Sequence, residues 1–193
     1  MQQWEGAVDA YLVLSHRRND AYAHNSLGRA LAAAAAASDT VDSRVAAAAV
    51  MAAFEAALER EPCYAHALYN LGQQYEKLAL AGASISGGDE ASKAKALELY
   101  RRAVQCHPTN FAAQEAAGAL LHASGRSGEA VTFFVAAQQL RPTRVQTLSN
   151  LGGVMIKAGR AAEAIGFLEV AQTLAPGHAH VTQNLAAARQ LLL

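Results

Sequence analysis

Histidine is the residue type in this sequence that could most readily hold a metal ion. The seven histidines include two pairs of interest, His178 with His180 and His24 with His66. Neither pair has a carboxylate or a cysteine placed with it to complete a ligand set. We therefore predict no bound metal and interpret these histidines as polar residues near the starts of helices.

The two cysteines, Cys63 and Cys106, could act as nucleophiles or as ligands, but their spacing fits no metal site. Two cysteines are also too few for a disulfide framework. Cys106 is expected to end a helix just before a proline and to serve as a small packing residue, with a reactive thiol as the alternative. The amino terminus has neither the basic nor the apolar region of a signal peptide. These features predict an intracellular, cytoplasmic protein.

The sequence contains no signature of a common catalytic or cofactor site. It has no Gly-x-Gly-x-x-Gly motif, no P-loop, no His-Glu-x-x-His motif and no nucleophile elbow. The formal net charge is zero, and no basic block of the kind that binds nucleic acid is present. No apolar run approaches the roughly 20 residues that cross a bilayer. We expect a protein that is not an enzyme and that has no cofactor, no nucleic-acid partner and no membrane insertion.

The composition favours helices as the elements that position the polar residues. Apolar residues make up 52% of the chain, much of this is alanine, and only 6% of the residues are aromatic. Alanine is the best helix former and a small residue that lets helices pack closely. Only four prolines occur, and no stretch alternates with the period of two that a strand requires. An all-α fold follows.

The second half of the chain repeats itself at a shift of 34 residues. The same residue type, or a similar one, returns at several positions of the period. These are Pro108, Pro142 and Pro176; Ala96, Ala130 and Ala164; Tyr100, Phe134 and Leu168; Ala103, Ala137 and Ala171; Gly118 and Gly152; and Gly125 and Gly159.

This pattern resembles the tetratricopeptide repeat. In that family a first helix carries Leu-Gly, as at Leu71-Gly72 and Leu151-Gly152, and a second carries alanine, an aromatic residue and a closing proline. The resemblance implies a right-handed α-solenoid of stacked antiparallel helix pairs, because one pair cannot bury both of its apolar faces. The predicted parts of this single solenoid domain are a leading unpaired helix in residues 1–20, repeats in 21–64, 65–110, 111–144 and 145–178, and a capping helix in 179–193. The first repeat has an extension between its helices, and the second has an insertion there.

In this family the first helices line a concave surface, and ligands usually lie there. The resemblance therefore implies a non-catalytic module that binds a partner peptide or helix in the groove. The predicted partner-binding residues are Arg29, His66, Tyr69, Asn70, Gln73, Lys77, Gln146, Asn150, Lys157 and Asn184, with Tyr22, Asn25, Ser26 and His180 as further groove positions.

Asparagine recurs before Leu-Gly or Leu-Ala in three first helices, at Asn70, Asn150 and Asn184. A side-chain amide has both a donor and an acceptor, so a row of them can hydrogen-bond an extended peptide backbone. The row resembles the asparagine ladders of peptide-binding tetratricopeptide proteins. The alternative is a local polar role for each asparagine, and Ala116 interrupts the row in the middle repeat. Lys77, Lys157 and Arg29 supply positive charge, but their spacing does not reproduce the carboxylate clamp of the chaperone-binding members.

Several functions are compatible with this interpretation. The leading hypothesis is a scaffold subunit of a multi-protein assembly, in which neighbours could cover the apolar Leu191–Leu193 end. The alternatives are the peptide-recognition arm of a larger enzyme, such as a glycosyltransferase, and a receptor for short carboxy-terminal targeting peptides.

Overall fold

The computed structural model describes residues 2–37, 43–81 and 88–193. Within these ranges the chain consists of α-helices joined by turns, and no β-strand occurs in them. In chain order the helices are α1 (Gln2–Arg18), α2 (Ala21–Ala37), α3 (Ser43–Arg60), α4 (Ala65–Leu80), α5 (Gly88–Cys106), α6 (Phe111–Ala123), α7 (Ser127–Leu140), α8 (Val145–Lys157), α9 (Ala161–Leu174) and α10 (Ala179–Gln190). The predicted extension between α2 and α3 and most of the predicted insertion between α4 and α5 lie outside the described residues.

The chain forms two compact units, Met1–Pro108 and Thr109–Leu193. In the first unit α1 packs on α2, α2 on α3, α3 on α4 and α4 on α5. In the second unit α6 packs on α7, α7 on α8, α8 on α9 and α9 on α10, while α10 also contacts α8. The predicted all-α fold of packed helix pairs is confirmed for the described residues. The division of the chain into repeats stays a prediction.

Close contact between a glycine and a large side chain holds each pair together in the first unit. A Cβ atom added at Gly28 of α2 would lie 2.6 Å from the Phe54 ring of α3. A Cβ atom at Gly72 of α4 would likewise lie 2.6 Å from the Tyr100 ring of α5. Both rings are fully buried. The missing side chain therefore lets the helix axes approach until a whole ring fills the space between them.

The second unit uses the same arrangement. There the contacts of glycine with a large side chain are Gly118 with Phe134 and Gly152 with Leu168. The first helices of its two pairs, α6 and α8, also end alike. Each is followed after two residues by a glycine, and these glycines, Gly125 and Gly159, have φ angles of 76° and 77°. At this left-handed conformation the helix stops and the next one begins two residues later. The spacing of these glycines therefore reflects the local geometry of a helix–turn–helix unit.

None of the helices in the described ranges has the length and hydropathy to span a membrane.

Candidate functional site

Five of the six predicted binding residues of the first unit share one side of α4, and the sixth, Arg29, lies on α2. Tyr69 and Asn70 follow His66 by three and four residues, and Gln73 follows them by four and three. Lys77 comes four residues after Gln73, and spacings of three or four place side chains on the same face of a helix. His66 and Lys77 are exposed, and the three residues between them are half-buried. We call these five residues the α4 face. The opposite side of α4, which includes Leu68, Leu71 and Gly72, is buried.

A hydrogen bond joins the α4 face to α2. The Nδ2 atom of Asn70 donates to the Oδ1 atom of Asn25 over 2.9 Å. Asn25 is only 4% exposed, so its side chain is fixed among packed neighbours. Along α4, the Nε2 atom of Gln73 donates to the hydroxyl of Tyr69 over 3.0 Å. The amide groups on this face are therefore held in place before any partner arrives.

An aromatic pair and a carboxylate continue this polar row. The rings of Tyr69 and Tyr100 lie 5.8 Å apart between centroids, at an interplanar angle of 39°. The Tyr100 hydroxyl donates to the Oε2 atom of Glu76 over 2.8 Å. Burial raises the pKa of Tyr100 far above its ordinary value of 10.0, and the Glu76 carboxylate raises it further. Tyr100 therefore stays protonated and anchors Glu76 on α4.

Two cations flank these amides without an ion pair. Arg29 lies on α2 one helical turn beyond Asn25, and Lys77 lies on α4 one turn beyond Gln73; both are exposed. Among the side chains that the structure describes, neither cation has a salt-bridge partner, whereas many other surface cations do, such as Lys93 with Glu90. The surface formed by α2 and α4 thus combines fixed amides with two exposed cations and the Glu76 carboxylate.

The second unit carries a separate set of predicted residues. Gln146 and Lys157 are exposed on α8, Asn150 is half-buried there, and Asn184 is half-buried on α10. The Nε2 atom of Gln146 donates to the Oδ1 atom of Asn150 over 2.9 Å. The Nδ2 atom of Asn184 donates to the main-chain carbonyl of Ser149 over 3.2 Å.

The structure therefore brings the predicted asparagines into local hydrogen bonds. Asn70 lies in the first unit, while Asn150 and Asn184 lie in the second and use different partners. A continuous asparagine ladder stays a prediction. Asn25 was recognised as a groove position but not as part of the asparagine recurrence. It stands one residue earlier than the pattern requires, in Asn25-Ser26-Leu27-Gly28 rather than directly before Leu-Gly.

The prediction for Cys106 is wrong. Cys106 was expected to be a packing residue, but it forms a disulfide with Cys63, and no free cysteine remains. The Cα atoms lie 5.5 Å apart, an ordinary distance for a bridge. The bond was missed because the residues are 43 positions apart in sequence. Only the packing of α3, α4 and α5 brings the turn after α3 next to the end of α5.

The histidines show no metal site in the described part of the chain. The rings of His178 and His180 are 6.0 Å apart between centroids. No group of three or more His, Cys, Asp or Glu side chains that could hold a metal ion occurs in that part. His24 instead contacts the Asn19 side chain, with 3.0 Å between Nε2 and Oδ1.

Comparison with known proteins identifies the fold. No protein-family model matches the chain, and no curated protein matches it in sequence. Solved structures match it over 66–100% of its length. A thermophilic tetratricopeptide protein of Thermus thermophilus is 19% identical, with a TM-score of 0.64 over 100% of this chain and 92% of its own. A MamA protein is 16% identical, with a TM-score of 0.68 over 89% of this chain and 88% of its own.

A third similar structure is the first tetratricopeptide domain of Spaghetti (RPAP3), bound to the HSP90 peptide SRMEEVD. It is 18% identical, with a TM-score of 0.55 over 66% of this chain and 92% of its own. At these identities the likeness concerns the fold. The chain has the tetratricopeptide-type α-solenoid fold, which confirms the resemblance seen in the repeat.

Proposed function

We propose that this chain, which has the tetratricopeptide fold, is a non-catalytic module that binds an acidic segment of another protein on the surface formed by α2 and α4. The observation that carries the proposal is the Asn25–Asn70 hydrogen bond together with the exposed cations Arg29 and Lys77, which form no salt bridge with any side chain that the structure describes. Fold alone does not define a function, so the argument rests on this surface.

The amides supply contacts to a peptide backbone. Asn70 uses one of its two N–H groups on Asn25, so its second N–H and its carbonyl oxygen can pair with a main-chain carbonyl and N–H of a ligand. The bond to a buried residue holds this side chain in one orientation, so little rotamer entropy is lost on binding. Contacts of this kind bind an extended chain with little regard to its sequence.

The cations supply the preference for acidic residues. An exposed lysine or arginine that forms no salt bridge attracts negative charge and speeds the encounter with an acidic partner. The RPAP3 domain was solved with a peptide that contains two glutamates and an aspartate, and this supports an acidic ligand for a surface of this fold. We do not propose a carboxylate clamp, because the spacing of the cations does not match one. We further propose that the chain is a scaffold subunit of a larger assembly and that it uses the same surface there.

The sequence offers a matched pair of variants to test this proposal. Asn70 and Lys77 lie seven residues apart on α4, and Asn150 and Lys157 lie seven residues apart on α8. In both pairs the asparagine is half-buried and the lysine is exposed. Affinity capture from a source-cell lysate compares three proteins. They are the wild type, the α4 variant Asn70→Ala/Lys77→Ala and the α8 variant Asn150→Ala/Lys157→Ala. Circular dichroism first checks that the three proteins are equally helical.

We expect the α4 variant to lose a partner that the α8 variant retains. We also expect added salt to weaken the capture of that partner by the wild type. Hydrogen exchange of the captured complex should show protection in α2 and α4. If only the α8 variant loses the partner, the binding surface lies in the second unit and the proposed site is wrong. If neither variant loses it, the amide-and-cation argument fails for both units.

A further inference from the structure

The disulfide closes the open end of a helix hairpin. In the first unit α4 and α5 pack against each other and are connected beyond the end of α4 at Leu80. The other end of this hairpin is where α4 begins and α5 finishes. Cys63 lies in the turn just before α4, and Cys106 is the last residue of α5. The bond therefore converts the hairpin into a covalent ring.

A second contact marks the same junction. The Nη2 atom of Arg102, one turn before Cys106, donates to the main-chain carbonyl of Pro62 over 3.3 Å. The turn that holds Cys63 is thus attached to α5 by a weak, exposed hydrogen bond as well as by the disulfide. When the disulfide is absent, this long hydrogen bond still links the turn to α5. Such a link contributes little by itself, because water competes for both groups.

The two bridged cysteines lie outside the buried core. Cys63 is exposed and Cys106 is half-buried. An accessible disulfide can be attacked by thiolates from solution, whereas one sealed in a core cannot. These are the only two cysteines of the chain, so the reduced pair has no other cysteine in the same molecule with which to form a wrong bridge.

We infer that Cys63 and Cys106 form a reversible thiol–disulfide switch that sets the rigidity of the α4–α5 hairpin. In the oxidised state the first turn of α4 is tied to the last turn of α5. In the reduced state this end of the hairpin opens more often, while the core contacts of Leu68 and Tyr100 remain. The inference does not depend on the proposed function, although His66 of the α4 face lies only three residues after Cys63.

The chemistry requires an oxidant, and a low-molecular-weight disulfide such as glutathione disulfide is sufficient. The Cys63 thiolate attacks one sulfur of the oxidant, forms a mixed disulfide and releases one thiol. The Cys106 thiolate then attacks the Cys63 sulfur, forms the protein disulfide and releases the second thiol. Two protein thiols and one disulfide thus become one protein disulfide and two thiols. We place the mixed disulfide on Cys63 because that residue is the more exposed.

The redox state of the compartment decides between two explanations of this disulfide, a reversible bond and a permanent one. Reducing compartments keep most thiols free, and disulfides found there are usually transient or redox-sensing. A permanent bridge in an oxidising compartment is the competing explanation. The two differ in whether mild reductant opens the bond in the folded protein.

The test uses the full chain in buffers with graded ratios of reduced to oxidised glutathione. Free thiols are blocked with N-ethylmaleimide and counted by mass spectrometry, and hydrogen exchange of α4 and α5 is measured at both extremes. We expect no labelled thiols under oxidising conditions and two under reducing conditions, with unchanged circular dichroism. Amides in the first turn of α4 and the last turn of α5 should exchange at least about tenfold faster after reduction.

The variant Cys63→Ser/Cys106→Ser is the control, and it should exchange like the reduced wild type in every buffer. If two thiols remain free in oxidised glutathione, the pair does not form a disulfide and the inference is wrong. If the bond resists reduced glutathione in the folded chain, it is a permanent bridge. Equal exchange in the two states would show that the bond does not control rigidity. A redox effect of the same size in the double-serine variant would assign the change to another cause.

Discussion

Replacing Gly72 by alanine tests the contact that holds α4 and α5 together. The added Cβ would lie 2.6 Å from Cε1, 2.9 Å from Cδ1 and 3.1 Å from Cζ of Tyr100. Carbon atoms in good contact are about 3.5–4.0 Å apart, so the ring or the helix must move by about 1 Å. Tyr100 is fully buried and its hydroxyl is bound to Glu76, which leaves the ring little room to retreat.

The net cost follows from two opposing effects. Overpacking of a core typically costs about 1–3 kcal/mol, and an overlap of about 1 Å against a fixed ring belongs at the upper end of that range. Alanine also gains about 1 kcal/mol over glycine inside a helix. We therefore expect Gly72→Ala to lower the free energy of unfolding by about 2 kcal/mol. Gly166 inside α9 is the control, because a Cβ there would have no neighbour within 4 Å.

The assay is urea unfolding followed by circular dichroism. With a urea dependence of about 2 kcal/mol per molar, the Gly72→Ala midpoint should fall by about 1 M. Gly166→Ala should keep or raise the midpoint, since it gains helix propensity without a steric conflict. If Gly72→Ala proves as stable as Gly166→Ala, the close approach of α4 to Tyr100 does not exist in solution.

Three further predictions concern stability. Tyr100→Phe keeps the ring but removes the hydrogen bond to Glu76, and it should cost about 1–2 kcal/mol in the same assay, because Glu76 is only half-buried and water can partly replace the hydroxyl. Cys63→Ser/Cys106→Ser should lower the unfolding free energy by about 4 kcal/mol relative to the oxidised wild type, the chain-entropy value for a loop of 43 residues, and by nothing relative to the reduced wild type. The pKa of Asp20 is held below its ordinary value of 3.8, first by a hydrogen bond from a backbone N–H at the start of α2. Its stabilisation is therefore complete above that ordinary value and is lost as the pH falls through the lower folded-state pKa, so Asp20→Asn should flatten the acid side of a stability–pH curve.

The fold was predictable because the repeat pattern depends on local geometry. Gly72 and Tyr100 recur in the sequence as members of a period, and each period is a helix pair whose partners are near in sequence. A glycine opposite a large ring, a left-handed residue at the end of a helix and a proline after the second helix each require a particular residue type at a fixed position of the repeat. Residue types alone were therefore sufficient to infer an all-α fold of packed pairs.

The contacts between neighbouring pairs were not predictable in the same way. Cys63 meets Cys106 only after three helices have packed, and nothing in a spacing of 43 residues marks that contact. The bond between Asn25 and Asn70 depends on the rotation of α2 relative to α4, and Asn25 is displaced by one residue from the repeat pattern. A site assembled from several helices needs these rotations, which a linear pattern does not contain.

The packing of the hairpin explains why the disulfide can act as a switch without unfolding the protein. Gly72 against Tyr100 is an apolar contact in the middle of the hairpin, and the Tyr100–Glu76 bond lies about one helical turn further along α4. Both lie away from the end closed by Cys63 and Cys106. Loss of the disulfide therefore frees one end of a hairpin that its core still holds together. Gly72→Ala perturbs the middle of α4, and reduction of the disulfide perturbs its first turn. Their effects on amide hydrogen exchange in the first turn of α4 should therefore be close to additive.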